Sequence, residues 1–148
     1  MLGELTFFLG LQVYQTDEWI FISQTKYIKY MLKKFKMEDS KPVGTPMVTD
    51  WKLSKDDKSL EVDHTMFRSM IDRLLYVTAT RLDVMQAVVL VARFQSTPKK
   101  THVTTIKRIL KYIKGTMEYG LWYPKGQDFT LKTFTDANWK EVLMMEKY

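Results

Sequence analysis

Residues 5–15, LTFFLGLQVYQ, alternate so that Leu5, Phe7, Leu9, Leu11 and Val13 share one side of an extended chain. Trp19 to Ile22 resume the extended pattern after Thr16, Asp17 and Glu18, and the two runs predict a β-hairpin. The period then changes. With Ser23 as cap, Ile28, Met31, Leu32 and Phe35 fall at i, i+3, i+4 and i+7 of a helix whose other side holds Lys26, Lys29, Lys33 and Lys34. From Met37 to Val62 no period survives, and Pro42, Gly44 and Pro46 punctuate a polar connector. Asp63 offers an N-cap to a second helix, with Phe67, Met70, Ile71, Leu74 and Leu75 on one stripe. After a break at Arg81 to Asp83, VMQAVVLVARF is apolar on nearly every side and predicts a buried helix.

The next helix is basic. In TPKKTHVTTIKRILKYIKG, Thr97 is the candidate N-cap, Pro98 the first helical residue and Gly115 the stop. Val103, Ile106, Leu110 and Ile113 form its apolar stripe, while Lys100, Lys107, Lys111 and Lys114 fall within roughly 60° of arc at about 100° per residue. Beyond Gly115, GLWYP, a PKGQD turn and FTLKTFTD predict a second hairpin, and Lys140 to Tyr148 predict a frayed end. The expected class is α+β: an N-terminal β-hairpin, a core of about four helices and a C-terminal β-hairpin.

Charge sharpens this picture. Of the net +6, residues 99–148 hold ten basic and five acidic side chains, and the first 98 residues are nearly balanced. A field concentrated on one third of a chain can steer a phosphate backbone, whereas evenly spread charge mainly aids solubility. Lys33, Lys34, Lys100, Lys107, Arg108, Lys111 and Lys114 are therefore the candidate nucleic-acid contacts, set against the plainer reading of a solvated basic face. The chain has no cysteine, no N-terminal basic region before an apolar run and no apolar run near the roughly 20 residues of a membrane span. These features predict an intracellular protein, cytoplasmic or nuclear, with no membrane partner.

Catalytic chemistry is sparse. Asp136, in TFTDANW, sits at a strand end, where a carboxylate can be held towards a metal, but two-metal phosphoryl chemistry needs several converging carboxylates. Asp56 and Asp57 lie in the lysine-studded connector and read as solvated loop charges. His64 and His102 are far apart in sequence without a local carboxylate, and no glycine-rich phosphate loop or nucleophile elbow occurs. No metal or cofactor site is expected in the chain.

Four stretches, taken together and in order, resemble the reverse transcriptase of copia-type long-terminal-repeat retrotransposons, encoded in their Pol polyproteins. They are GELTFFLGLQVYQTDEWIFISQTKYIKYMLKKFKMEDSKPVGTPM, VDHTMFRSMIDRLLYVTATRLDV, ARFQSTPKKTHVTTIKRILKYIKGTMEYGLWYPKG and TFTDANW. The resemblance implies a palm-end hairpin and thumb-like helix over 1–36, a linker over 37–62, a helical connection-like region over 63–115 and the start of a ribonuclease H-like domain over 116–148. Phe8, Leu9 and Gly10 match an FLG segment that in related enzymes helps to hold the primer end, and Asp136 matches the first ribonuclease H aspartate. An RNA or DNA template–primer is the implied partner, alongside the missing polymerase part, and Mg2+ is the metal of the complete family enzyme.

Departures qualify the match. The family's paired polymerase aspartates lie upstream of FLG and its other ribonuclease H carboxylates lie downstream of Asp136, so this chain alone is expected to be inactive. The alternative is a non-enzymatic basic module that binds nucleic acid. Asp72 and Arg73 replace a usual Gly-Ser pair, Leu82 replaces the proline of an RPD motif, and Gln86 replaces an apolar residue. Between Ile71 and Leu74, Asp72 would burden the core if it faced inward, with Arg68 at i−4 as its candidate partner.

Overall fold

The computed structural model describes residues 3–48, 53–54, 58–125 and 145–146. Five antiparallel strands, β1 (Glu4–Phe8), β2 (Leu11–Gln15), β3 (Trp19–Ser23), β4 (Tyr119–Pro124) and β5 (Met145–Glu146), form one sheet in the order 1-2-3-4-5. Four helices complete the α+β fold: α1 (Thr25–Lys34), α2 (His64–Val77), α3 (Met85–Ala92) and α4 (Lys100–Gly115).

The N-terminal unit is a three-stranded meander rather than one hairpin, because the chain reverses within the alternating run. Leu9 (φ 52°) and Gly10 (φ 80°) form a two-residue turn that pairs Phe8 with Leu11. Such a turn exchanges the faces of odd and even positions in the second strand: Phe7 pairs with Gln12 and Thr6 with Val13, so the Leu5–Phe7 side and the Leu11–Val13 side are different. Gly10 is needed twice over, since its φ suits glycine and an added Cβ would collide with the Tyr76 hydroxyl.

Strand β4 pairs with β3, from Trp19 opposite Pro124 to Ser23 opposite Gly120. The two ends of the chain thereby share one sheet. Gly120 permits this, because a Cβ there would collide with the Ile22 carbonyl oxygen. The second strand of the expected C-terminal hairpin, around Phe129, and Asp136 lie outside the described residues. Met145 and Glu146, expected to fray, pair with Gly120 and Tyr119.

The core lies among the helices: Ile28, Met31 and Leu32 from α1, Phe67, Met70, Ile71, Leu74 and Val77 from α2, Ala87, Val88 and Val91 from α3, and Val103, Ile106, Ile109, Leu110 and Ile113 from α4. Each large apolar side chain so buried contributes about 1.5–3 kcal/mol of transfer free energy, which is why the periodic stripes find one another. Helix α3 is less enclosed than its composition predicts, with Met85 and Val89 exposed on its outer side.

Helix starts shift for local reasons. Asp63 caps α2 as expected, its carboxylate accepting the Thr65 N–H at 3.0 Å. Ser23 is committed to β3, so α1 begins after Gln24. At α4 the Pro98 carbonyl accepts the Val62 N–H and Lys99 bridges Glu61, which keeps residues 98–99 extended; the helix starts at Lys100, and His102 rather than Thr97 accepts the Lys99 N–H, at 2.9 Å. Asp72 points outward and makes no ion pair among the described residues, so the expected burden on the core does not arise.

Candidate nucleic-acid interface

The connector 37–62 has no helix or multi-residue strand among its described residues, yet it is laid along α4. Lys114 Nζ donates to the Ser40 carbonyl, Arg108 donates to Thr45 Oγ1 at 2.9 Å, and the Lys100 N–H donates to the Leu60 carbonyl at 2.8 Å. The His102 ring, fully buried and stacked on Phe94 at 4.1 Å between centroids, accepts at Nδ1 and reaches the Ser54 carbonyl through Nε2 at 3.1 Å. Nε2 thus carries the proton and the imidazole is a structural tie. Met47, Leu53 and Val62 pack against the core from the same stretch.

This arrangement divides the predicted basic residues. Lys100 and Lys107 are exposed on α4, Lys111 is half-buried, and Arg108 and Lys114 spend a donor on the connector. From α1, Lys29 and Lys33 meet Lys114 around a groove of about 290 Å³ whose apolar floor is Leu32 and Met117 and whose rim includes Glu38. Three cations from two helices thus surround one concavity. Lys34 is not among them: one residue beyond Lys33, it is exposed around the helix at the Tyr27 and Tyr30 positions.

Phe8, Leu9 and Gly10 stand at the hairpin tip. Phe8 is 65% and Leu9 78% exposed, and the Tyr76 hydroxyl donates to the Leu9 carbonyl at 2.6 Å, tying the tip to α2. Among the described residues no three His, Asp or Glu side chains gather as metal ligands.

A feature that periodicity could not reveal links these parts. Arg81, fully buried, forks onto Asp83 (Nε–Oδ1 3.1 Å, Nη2–Oδ2 2.9 Å) and donates to the Thr116 carbonyl at 2.9 Å and to its hydroxyl oxygen. Tyr112 donates to the same carboxylate at 2.6 Å, and the Tyr112 and Tyr119 rings lie 5.8 and 5.4 Å from the guanidinium carbon. Burial, and then the hydrogen bond to Asp83, push the Tyr112 hydroxyl up to about 12. Burial also raises Tyr123. Nearby, the fully buried Gln24 donates to the Tyr76 carbonyl at 3.1 Å and accepts from Thr80, joining the end of β3 to α2. The only signal in the sequence was the pair of charges at the break between two apolar runs.

Fold and site together define an α+β unit whose helices present a cationic groove and whose hairpin tip is apolar and exposed. Among its relatives are Pol polyproteins of transposons. The chain is 35% identical over 136 residues to the "Retrovirus-related Pol polyprotein from transposon RE1" of Arabidopsis thaliana, covering 92% of this chain and 9% of that protein. It is 35% identical over 146 residues to the corresponding polyprotein from transposon TNT 1-94 of Nicotiana tabacum, covering 93% of this chain and 11% of that one. An uncharacterized mitochondrial protein of Arabidopsis thaliana is 34% identical over 139 residues, which are 57% of its length. No family model matches the chain, and no solved structure matches it significantly. The chain is homologous to the retrovirus-related Pol polyproteins of copia-type transposons and spans about a tenth of their length.

Proposed function

We propose that the chain is a reverse-transcriptase segment that holds an RNA·DNA template–primer duplex, serving a family enzyme with polymerase and ribonuclease H activities while performing no catalysis of its own. The observation that carries this reading is the groove where Lys29 and Lys33 of α1 meet Lys114 of α4, in a chain homologous to Pol polyproteins. A phosphate backbone is the polyanion such a groove suits, and Lys107, one helical repeat before Lys114, continues the same stripe. In this reading the tip formed by Phe8, Leu9 and Gly10 abuts the primer end. The polymerase part of the enzyme is the protein partner. Mg2+ belongs to the complete enzyme; the described residues offer it no cluster of three carboxylate or imidazole ligands, and no step is assigned to it.

The test is the salt dependence of binding. For the 148-residue chain and a fluorescent RNA·DNA hybrid, log K should fall linearly with log salt. Replacing Lys29, Lys33 and Lys107, all exposed, with Gln should reduce the slope by about 3, close to one for each phosphate no longer neutralised. An unchanged slope in a folded variant refutes the proposal.

A further inference from the structure

The groove does not account for a second surface of different chemistry. Between α1 and α2 lies a concavity of about 600 Å³ lined by Tyr27, Thr65, Arg68, Ser69, Asp72 and Arg73. Arg73 donates to the Tyr27 hydroxyl at 3.4 Å, and its guanidinium lies 5.4 Å from the centre of the Tyr30 ring.

The rings continue from the concavity to the hairpin tip. Tyr30 is 6.2 Å from Tyr27, Tyr27 meets Tyr76 edge-on at 4.7 Å, and Tyr76 holds the Leu9 carbonyl. Beside the tip, Lys26 sits 5.4 Å from the Phe7 ring. Tyr30 is 53% and Phe7 57% exposed, which is unusual for rings of this size. Lys26 and Arg73 contact these rings and Arg68 lines the concavity, where Asp72 is the one carboxylate among the described lining residues.

Interleaved rings and cations are the components of a single-strand site: successive bases stack on side-chain rings while cations follow the backbone. The lysine groove has no ring among its described lining residues and suits a duplex, whose bases are already stacked. We infer that the Tyr27, Tyr30, Arg68 and Arg73 face is a second contact site that takes unpaired nucleotides of a single strand by base stacking. The inference rests on the reading of the chain as a nucleic-acid-holding segment and adds which form of nucleic acid goes where.

The test uses the whole chain with two fluorescent probes, a 12-nucleotide oligo(dT) and a blunt RNA·DNA hybrid, and the variants Tyr30→Ala, Tyr30→Phe and Arg68→Gln. Tyr30 and Arg68 are exposed, so these variants keep the fold, checked by circular dichroism. Tyr30→Ala should weaken oligo(dT) binding roughly 5- to 100-fold, the range of one stacked base, with hybrid binding unchanged. Tyr30→Phe, which keeps a stacking ring, should stay within about twofold of the parent, and Arg68→Gln should lower the salt slope for oligo(dT) by about 1. Equal oligo(dT) binding by parent and Tyr30→Ala overturns the inference, as does hybrid binding without oligo(dT) binding; in that second case the groove proposal stands. Binding of neither probe overturns both.

Discussion

Replacing Arg81 with Met tests whether the buried fork holds the junction between α2 and α3 to the end of α4. Met fills much of the stem volume but leaves Asp83, whose side chain is 13% exposed, facing Tyr112 with its fork partner gone. Removing one member of a buried ion pair costs about 3–5 kcal/mol, and the Thr116 carbonyl also loses a donor, although its partial exposure lets water answer it. Stacking of Met on the Tyr112 and Tyr119 rings returns part of this, so the net loss is about 3–4 kcal/mol out of the roughly 5–15 kcal/mol of an ordinary domain. In urea at an m-value near 2 kcal/mol/M, the midpoint should fall by about 1.5–2 M, with m unchanged. The pair Arg81→Met with Asp83→Leu should recover most of the loss, because two matched apolar groups leave no stranded charge. A single-variant loss below about 1 kcal/mol, or a double variant no better than the single, would refute the argument that the charge pair is what the site must satisfy.

Two further outcomes concern Tyr112 and Asp72. The Tyr112 hydroxyl is held up at about 12 in the folded chain against an ordinary value of 10.0, so the unfolded chain loses that proton first as pH rises. Its contribution is intact below pH 10 and fades between pH 10 and 12, by on the order of 1–2 kcal/mol after discounting for solvent screening; Tyr112→Phe should remove this component from urea midpoints measured across that range. Asp72→Ser should change stability by less than about 0.5 kcal/mol, since the residue is exposed without an ion pair among the described residues, and should tighten oligo(dT) binding by removing a carboxylate from the lining of that concavity. A large destabilisation would show that Asp72 supports the fold.

The helices were legible because each carries its own burial stripe: the residues predicted to face inward on α1, α2 and α4 are, with few exceptions, those that form the core. The exceptions have physical causes. Leu75 extends the α2 stripe in sequence but is 41% exposed, because a stripe one residue too wide runs past the edge of the packed face. The turn at Leu9 and Gly10 was hidden by arithmetic, since inserting two residues leaves odd-numbered apolar positions odd while exchanging their faces. Pairing of β3 with β4 joins residues about 100 positions apart, and nothing local in either strand names its partner. Helix starts at Ser23 and Thr97 looked sound as capping chemistry and lost to tertiary hydrogen bonds.

The candidate site shows the same division between composition and use. Charge counting located the basic third of the chain, yet a lysine's charge does not say whether its ammonium is already engaged. Lys114 is tied to Ser40 and Arg108 to Thr45, so part of the stripe serves to fasten a connector that contributes no helix among its described residues. Exposed cations on the two helices of the groove include Lys29 and Lys33, which the sequence placed on a different helix, together with Lys100 and Lys107. Convergence of α1 on α4 is what turns two ordinary basic faces into one groove, and that convergence is dictated by buried apolar residues, Ile28, Met31 and Leu32 against the α4 stripe, of which only Leu32 also lines the groove. The electrostatic surface is in this sense a product of the core: a variant that loosened the α1 packing while keeping every lysine would disperse the groove and weaken binding as surely as removing the charges.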